Sequence, residues 1–105
     1  MRRMNYNPFE TPFASGEFSK SRGEFVLDEK LKSGYYVFQV ISSDGDHTSG
    51  IIYLNDYSGS SASFFGGYDP FTITATSNSN IIGFNAYNGD PFLEDGATII
   101  FYKII

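Results

Sequence analysis

The chain has 105 residues and a mass of 11.7 kDa, enough for one domain with a single modest core. It contains no Cys and no Trp but eleven Phe and eight Tyr. The missing Cys exclude disulfides, thiolate metal sites and cysteine nucleophiles, and the aromatics supply the packing mass. The net charge of -5 is unevenly spread: residues 1–32 hold six cations and five acids, whereas residues 33–105 hold Lys103 alone against seven acids. That balance repels phosphate backbones and excludes sequence-independent nucleic-acid binding.

In chain order, residues 1–22 read as an extended arm. Pro8 and Pro12 exclude a helix, yet Tyr6, Phe9, Phe13 and Phe18 are too apolar for a solvated tail. The arm is expected to lie on its own domain or on a neighbouring subunit. No apolar run of roughly 7 to 15 residues follows Arg2 and Arg3, as a signal peptide requires, and none approaches the ~18 residues that span a bilayer. The expectation is a chain made in a bacterial cytoplasm, or one whose leader has been removed, with no membrane partner.

From residue 23 a period of two takes over. It predicts strands over Glu24–Leu31, Tyr35–Ser42, Gly50–Leu54, Ala62–Phe65, Phe71–Thr76, Ile81–Tyr87 and Ala97–Ile105. Turn signals separate them at Asp44-Gly45-Asp46, Ser58-Gly59-Ser60, Gly66-Gly67, Ser77–Asn80 and Asn88-Gly89-Asp90-Pro91. No apolar period of 3.6 is sustained, so no long helix is expected. Seven short strands indicate an all-β, antiparallel two-sheet sandwich over residues 23–105, and an eighth strand from the arm would complete a jelly roll. The last strand is apolar at almost every position, so it is either a central strand covered by the arm or one face of an interface. Each Pro precedes a Phe: Pro8-Phe9, Pro12-Phe13, Pro70-Phe71 and Pro91-Phe92. Pro fixes the entry of a segment and Phe anchors it, which suits a docking arm.

The stretch Leu31-Lys32-Ser33-Gly34-Tyr35-Tyr36-Val37-Phe38 resembles the opening L-x-x-G-x-Y-x-F of small jelly-roll modules in phage tail, baseplate and fibre proteins. Those modules are similar in turn to carbohydrate-binding modules. Residues 71–105 follow the same order: a Thr-rich strand, an aromatic strand from Ile82 to Tyr87, a Gly turn, and a strand rich in Ile and Tyr. The resemblance covers residues 24–105 and leaves the arm outside. It implies a jelly roll and a place in a virion; function taken from it is analogy.

Candidate chemistry is sparse. His47 has Ser49, Asp44 and Asp46 nearby, but triad partners converge from separate segments, and a solvated turn histidine is the simpler reading. Asp44 and Asp46 have the Asp-x-Asp spacing used by hard cations such as Ca²⁺, and Asp90, Glu94 and Asp95 form another acidic loop, yet neither matches an EF-hand; as turn formers these Asp residues bond their own backbone. Glycoside hydrolysis needs two carboxyls about 5 to 9.5 Å apart across a cleft, and the acids here sit in turns. No cofactor is expected. An aromatic sugar platform would draw on Tyr57, Tyr68 and Tyr87 with Asp69 and Asn88, the rings stacking on sugar faces and the polar groups fixing hydroxyls.

These observations point to a non-enzymatic phage structural protein: a capsid decoration or a tail or fibre component. Its partners would be other virion subunits, itself included as a homo-oligomer, engaged through the arm's Tyr6, Phe9, Phe13 and Phe18 and the sandwich surface. Deleting residues 1–22 is then expected to leave a folded domain that no longer assembles. The alternative is a carbohydrate-binding module recognising host or polysaccharide glycans.

Overall fold

The computed structural model describes residues 11–55, 60–65, 71–86 and 93–104. Among them run eight strands: β1 (Ala14–Ser19), β2 (Glu24–Leu31), β3 (Gly34–Ile41), β4 (His47–Leu54), β5 (Ser60–Phe65), β6 (Phe71–Thr74), β7 (Ser79–Ala86) and β8 (Thr98–Lys103). All pairings are antiparallel, and the strands form one sheet in the order β5-β4-β3-β8-β1-β2-β7-β6. The two outermost strands, β5 and β6, approach within 8 Å at their Cα atoms, so the sheet curls round to face itself.

The all-β antiparallel expectation holds, but two of its details change. The strands form one continuous curled sheet and not two stacked ones. Two stacked sheets would leave a break in the ladder between layers; here β3 pairs with β8, β8 with β1 and β2 with β7, so the hairpins are linked into one ladder. The second change concerns the boundary at residue 22. Ala14–Ser19 is not an arm beside a domain: it is the strand between β8 and β2, paired on both edges. The last strand is accordingly central, and the arm's residues flank it edge to edge.

Alternation sends one side chain in two into the curl. Phe25 and Leu27 point inward from β2, Tyr36, Phe38 and Val40 from β3, and Ile99 and Phe101 from β8; all are buried. The aromatic rings form two groups. Phe18, Phe25, Phe84 and Phe71 meet with centroids 5.0 to 6.2 Å apart, and Phe13, Tyr36, Phe101 and Phe38 with centroids 5.6 to 6.0 Å apart. Each fully buried ring contributes roughly 1.5–3 kcal/mol through removal of apolar surface from water. Two of the four proposed arm anchors, Phe13 and Phe18, are thus used inside this chain; Tyr6 and Phe9 lie outside the described residues.

Close approach of backbones shapes the curl. Gly16 faces inward between Ala14 and Phe18, and a Cβ there would collide with the Val26 carbonyl. Only glycine lets β1 and β2 approach so closely at this bend. On β2 the pairing with β7 slips between Val26 and Leu31, where five steps along β2 match two along β7. This bulge pushes Asp28, Glu29 and Lys30 out to solvent.

The L-x-x-G-x-Y-x-F letters have a structural cause. Leu31, Tyr36 and Phe38 are fully buried, and Gly34 takes a positive φ of 139° as β3 begins. The Tyr36 hydroxyl donates to the Lys32 carbonyl at 2.7 Å and accepts from the Lys32 N–H at 2.9 Å, tying the turn before β3 to the core. Burial pushes the Tyr36 phenol above its ordinary 10.0, against the opposing pull of the Lys32 N–H. The sign follows: the folded state favours the neutral phenol, so this stability is complete below pH 10 and is lost as pH rises through the raised value. Tyr36→Phe is expected to cost about 1–2 kcal/mol at neutral pH, since it leaves Lys32 backbone groups without these bonds. It should also flatten the alkaline loss. Urea unfolding at neutral pH and above pH 10 checks both; equal alkaline loss in wild type and variant would assign that loss elsewhere.

Candidate functional site

The outer face of the sheet departs from the usual polar pattern over β4, β3 and β8. Register places Tyr53 opposite Tyr35, and the Ile104 N–H bonds the Tyr35 carbonyl at 2.8 Å, so Ile104 continues the row. The next row outward is Ile51, Val37 and Tyr102. The third is Ser49, Gln39 and Ile100. Tyr35 and Ile104 are 44% and 45% exposed, and Ile51 and Tyr53 39% each, so these side chains meet water across three adjacent strands. The Tyr35 and Tyr53 rings pack on each other with centroids 4.6 Å apart and planes tilted by 40°. Scattered exposed apolar residues are ordinary, but a contiguous group of this kind marks an interaction surface.

The three rows of this face hold no charged residue. Lys103 has the inward alternation of Ile99 and Phe101: it donates to the Ser33 carbonyl at 2.9 Å and sits 4.9 Å from the ring centroid of the buried Tyr36, so it caps the core and not this face. Beyond the far end of β3 lies the β3–β4 turn with Asp44 and Asp46. The turn is self-contained: the Ser42 hydroxyl donates to Asp44, the Asp46 N–H donates to the Ser42 hydroxyl at 3.1 Å, and the Ser42 N–H bonds the Asp46 carbonyl at 2.7 Å. The Ser42 hydroxyl, helped by the Asp46 N–H, holds the Asp44 carboxyl below the usual carboxylate range.

The catalytic and metal readings gain no geometry. His47 is exposed at the start of β4, with no hydrogen bond to a hydroxyl or carboxylate among the described residues. Ser49, two residues on, lies roughly 7 Å away on the same strand, beyond hydrogen-bond reach. Glu94 pairs with the Lys20 ammonium at 2.8 Å and Asp95 accepts from the Lys20 N–H at 2.8 Å, so this acidic loop fastens the end of β1. Among the described residues no group of three or more His, Asp or Glu could hold a metal ion. A shallow depression beside the β2 bulge is lined by Asp28, Glu29, Lys30, Lys32, Asn78 and Asn80; its charges oppose one another, and the Asn80 amide is engaged by the Leu27 carbonyl at 3.3 Å. No buried side-chain polar atom lacks a partner among the described residues. The sugar-platform residues Tyr57, Tyr68, Asp69, Tyr87 and Asn88 lie outside the described residues.

The apolar face was missed as a site by sequence reading, which flagged only the last strand. Its signal is visible once register is known: apolar residues at both alternations of β3, β4 and β8 come into line. Compared with known proteins, the chain matches no family model, no curated protein and no solved structure.

Proposed function

We propose that this chain is a non-enzymatic, self-assembling structural subunit that docks through the apolar outer face of β4, β3 and β8. The observation that carries the reading is the contiguous exposure of Tyr53, Tyr35, Ile104 and Ile51 on three neighbouring strands. Burying such a face against protein removes apolar area from water without desolvating any charge, the pattern of an interface centre. The setting we propose is a phage virion, as a capsid decoration or a tail or fibre component; its support is the resemblance of residues 24–105 to tail-module jelly rolls.

The test is the solution mass of the purified chain by light scattering, from micromolar to millimolar concentration, beside Ile51→Lys. Ile51 is on the outer face, so the variant should keep its unfolding transition within about 1 kcal/mol of wild type. The expected result is a discrete oligomer for wild type and a monomer for the variant. A wild-type mass that stays monomeric at every concentration overturns the reading, as does an oligomer that Ile51→Lys leaves intact.

A further inference from the structure

The uncharged outer face of β4, β3 and β8 suits an uncharged, apolar strip of chain, and we infer that its occupant is residues 1–10 of a second copy. This rests on the self-assembly reading and names what fills the site. The segment carries Met4, Tyr6, Pro8 and Phe9, with no charge between Arg3 and Glu10. Its large apolar side chains cover the Tyr53–Tyr35–Ile104 and Ile51–Val37–Tyr102 rows, so no charge loses its water. Each copy gives one segment and receives one.

The point of exit favours this segment. β1 is antiparallel to β8, with Ala14 opposite Phe101, and the Phe13 N–H bonds the Phe101 carbonyl at 2.8 Å. The exposed Thr11 and Pro12 therefore stand at the Ile104 end of β8, beside the row that holds Tyr35 and Tyr53. Residues 4–9, fully extended, span about 20 Å, and the face measures about 10 Å across its three strands and about 13 Å along its three rows. The direction of exit favours a second copy. Pro12 fixes its own φ and holds Thr11 extended, so the chain leaves along the line of β1, past the end of the sheet. The Phe13 ring packs on Tyr36 with centroids 5.6 Å apart, on the core side. Covering its own outer face would require the chain to reverse directly beyond these held residues. Charge separates a segment from a face as the occupant. Residues 1–10 hold Arg2 and Arg3 against Glu10, a net +1, so the total of -5 leaves -6 on residues 11–105. Two bodies meeting face to face repel, whereas a segment is drawn to a body.

The test uses Phe9→Asp in the full chain. Phe9 lies ahead of β1, so the variant keeps that strand and both its ladders. By sedimentation equilibrium it should associate roughly tenfold or more weakly than wild type, as loss of a buried aromatic anchor does. A synthetic peptide of residues 1–10 is then titrated into Phe9→Asp protein at a concentration where it is monomeric. Amide resonances of Tyr35, Ile51 and Tyr53 should shift to saturation, and the same peptide with Phe9→Asp should leave them in place. A Phe9→Asp protein that associates as tightly as wild type overturns the segment as occupant, as does a peptide that leaves these resonances unmoved. If Ile51→Lys still dissolves the wild-type assembly, the self-assembly reading survives that failure. A wild-type monomer whose Tyr35, Ile51 and Tyr53 resonances differ from those of Phe9→Asp puts the segment on its own face, and overturns both the second copy and the self-assembly reading. A monomer with the same resonances in both proteins also overturns both.

Discussion

A chain beginning at Gly23 is expected not to fold. Reading residues 1–22 as a separable arm leads to the opposite expectation, so this truncation separates the two descriptions. Its removal takes away β1, which hydrogen-bonds to β8 on one edge and β2 on the other. The sheet would be cut into β5-β4-β3-β8 and β2-β7-β6, each with a raw inner edge. Both aromatic groups would also lose a member, since Phe13 packs on Tyr36, and Phe18 on Phe25 and Phe84. Burial of Phe18 alone contributes roughly 1.5–3 kcal/mol. With the strand's two ladders added, the loss is comparable to the ~5–15 kcal/mol that holds a domain of this size together. Circular dichroism of residues 23–105 should therefore show no cooperative thermal transition, while a chain beginning at Thr11, which keeps β1 whole, should show one. A cooperative transition in residues 23–105 would return the segment to the status of an arm.

Gly16→Ala is expected to destabilise the fold by at least about 3 kcal/mol, a large effect for one methyl group. The atoms a Cβ would meet are the Val26 carbonyl and the Leu27 Cα, all backbone, so no side chain can turn aside to make room. Accommodation requires β1 and β2 to separate at the bend, and this loosens the packing of Phe18 against Phe25. Gly83→Ala is the matched control. Its Cβ would find the Thr74 side chain at 3.5 Å, an ordinary contact, and it should change stability by less than about 1 kcal/mol. Urea midpoints at unchanged slope measure both. Equal midpoints for the two variants would show that the β1–β2 approach is wider than described.

The fate of β1 also explains what could be read from the sequence. Strands with β-branched or aromatic residues at alternate positions were legible: the predicted Glu24–Leu31 matches β2 to the residue, and Tyr35–Ser42 is displaced from β3 by one. Ala14-Ser15-Gly16-Glu17-Phe18-Ser19 has only Phe18 to mark it as a strand. The small residues that hide β1 are the ones that let it enter a crowded bend between two strands. Its illegibility and its fit have the same cause. The choice between one sheet and two was equally out of reach. Alternation gives the face of each residue but not the partner of each strand, and the continuity of this sheet depends on such pairings as β2 with β7 across a bulge. The apolar outer face needed the same missing information. Tyr35, Ile51 and Tyr102 are ordinary strand residues one at a time, and become a surface only when register brings them side by side.

The position of β8 has a consequence for how the chain is made. Strands β3, β4 and β5 are joined by successive hairpins, as are β1 with β2 and β6 with β7. These pieces can form as the polypeptide leaves the ribosome. The two halves they build are joined through Thr98–Lys103, which lies between β3 and β1. Until Thr98–Lys103 is available, the edges of β3 and β1 lack the strand that pairs with both of them. The decisive step of folding therefore waits for β8 and is slow, in the millisecond-to-second range of β topologies built from distant pairings. The interval before β8 arrives is when this protein is most exposed to pairing with the wrong neighbour.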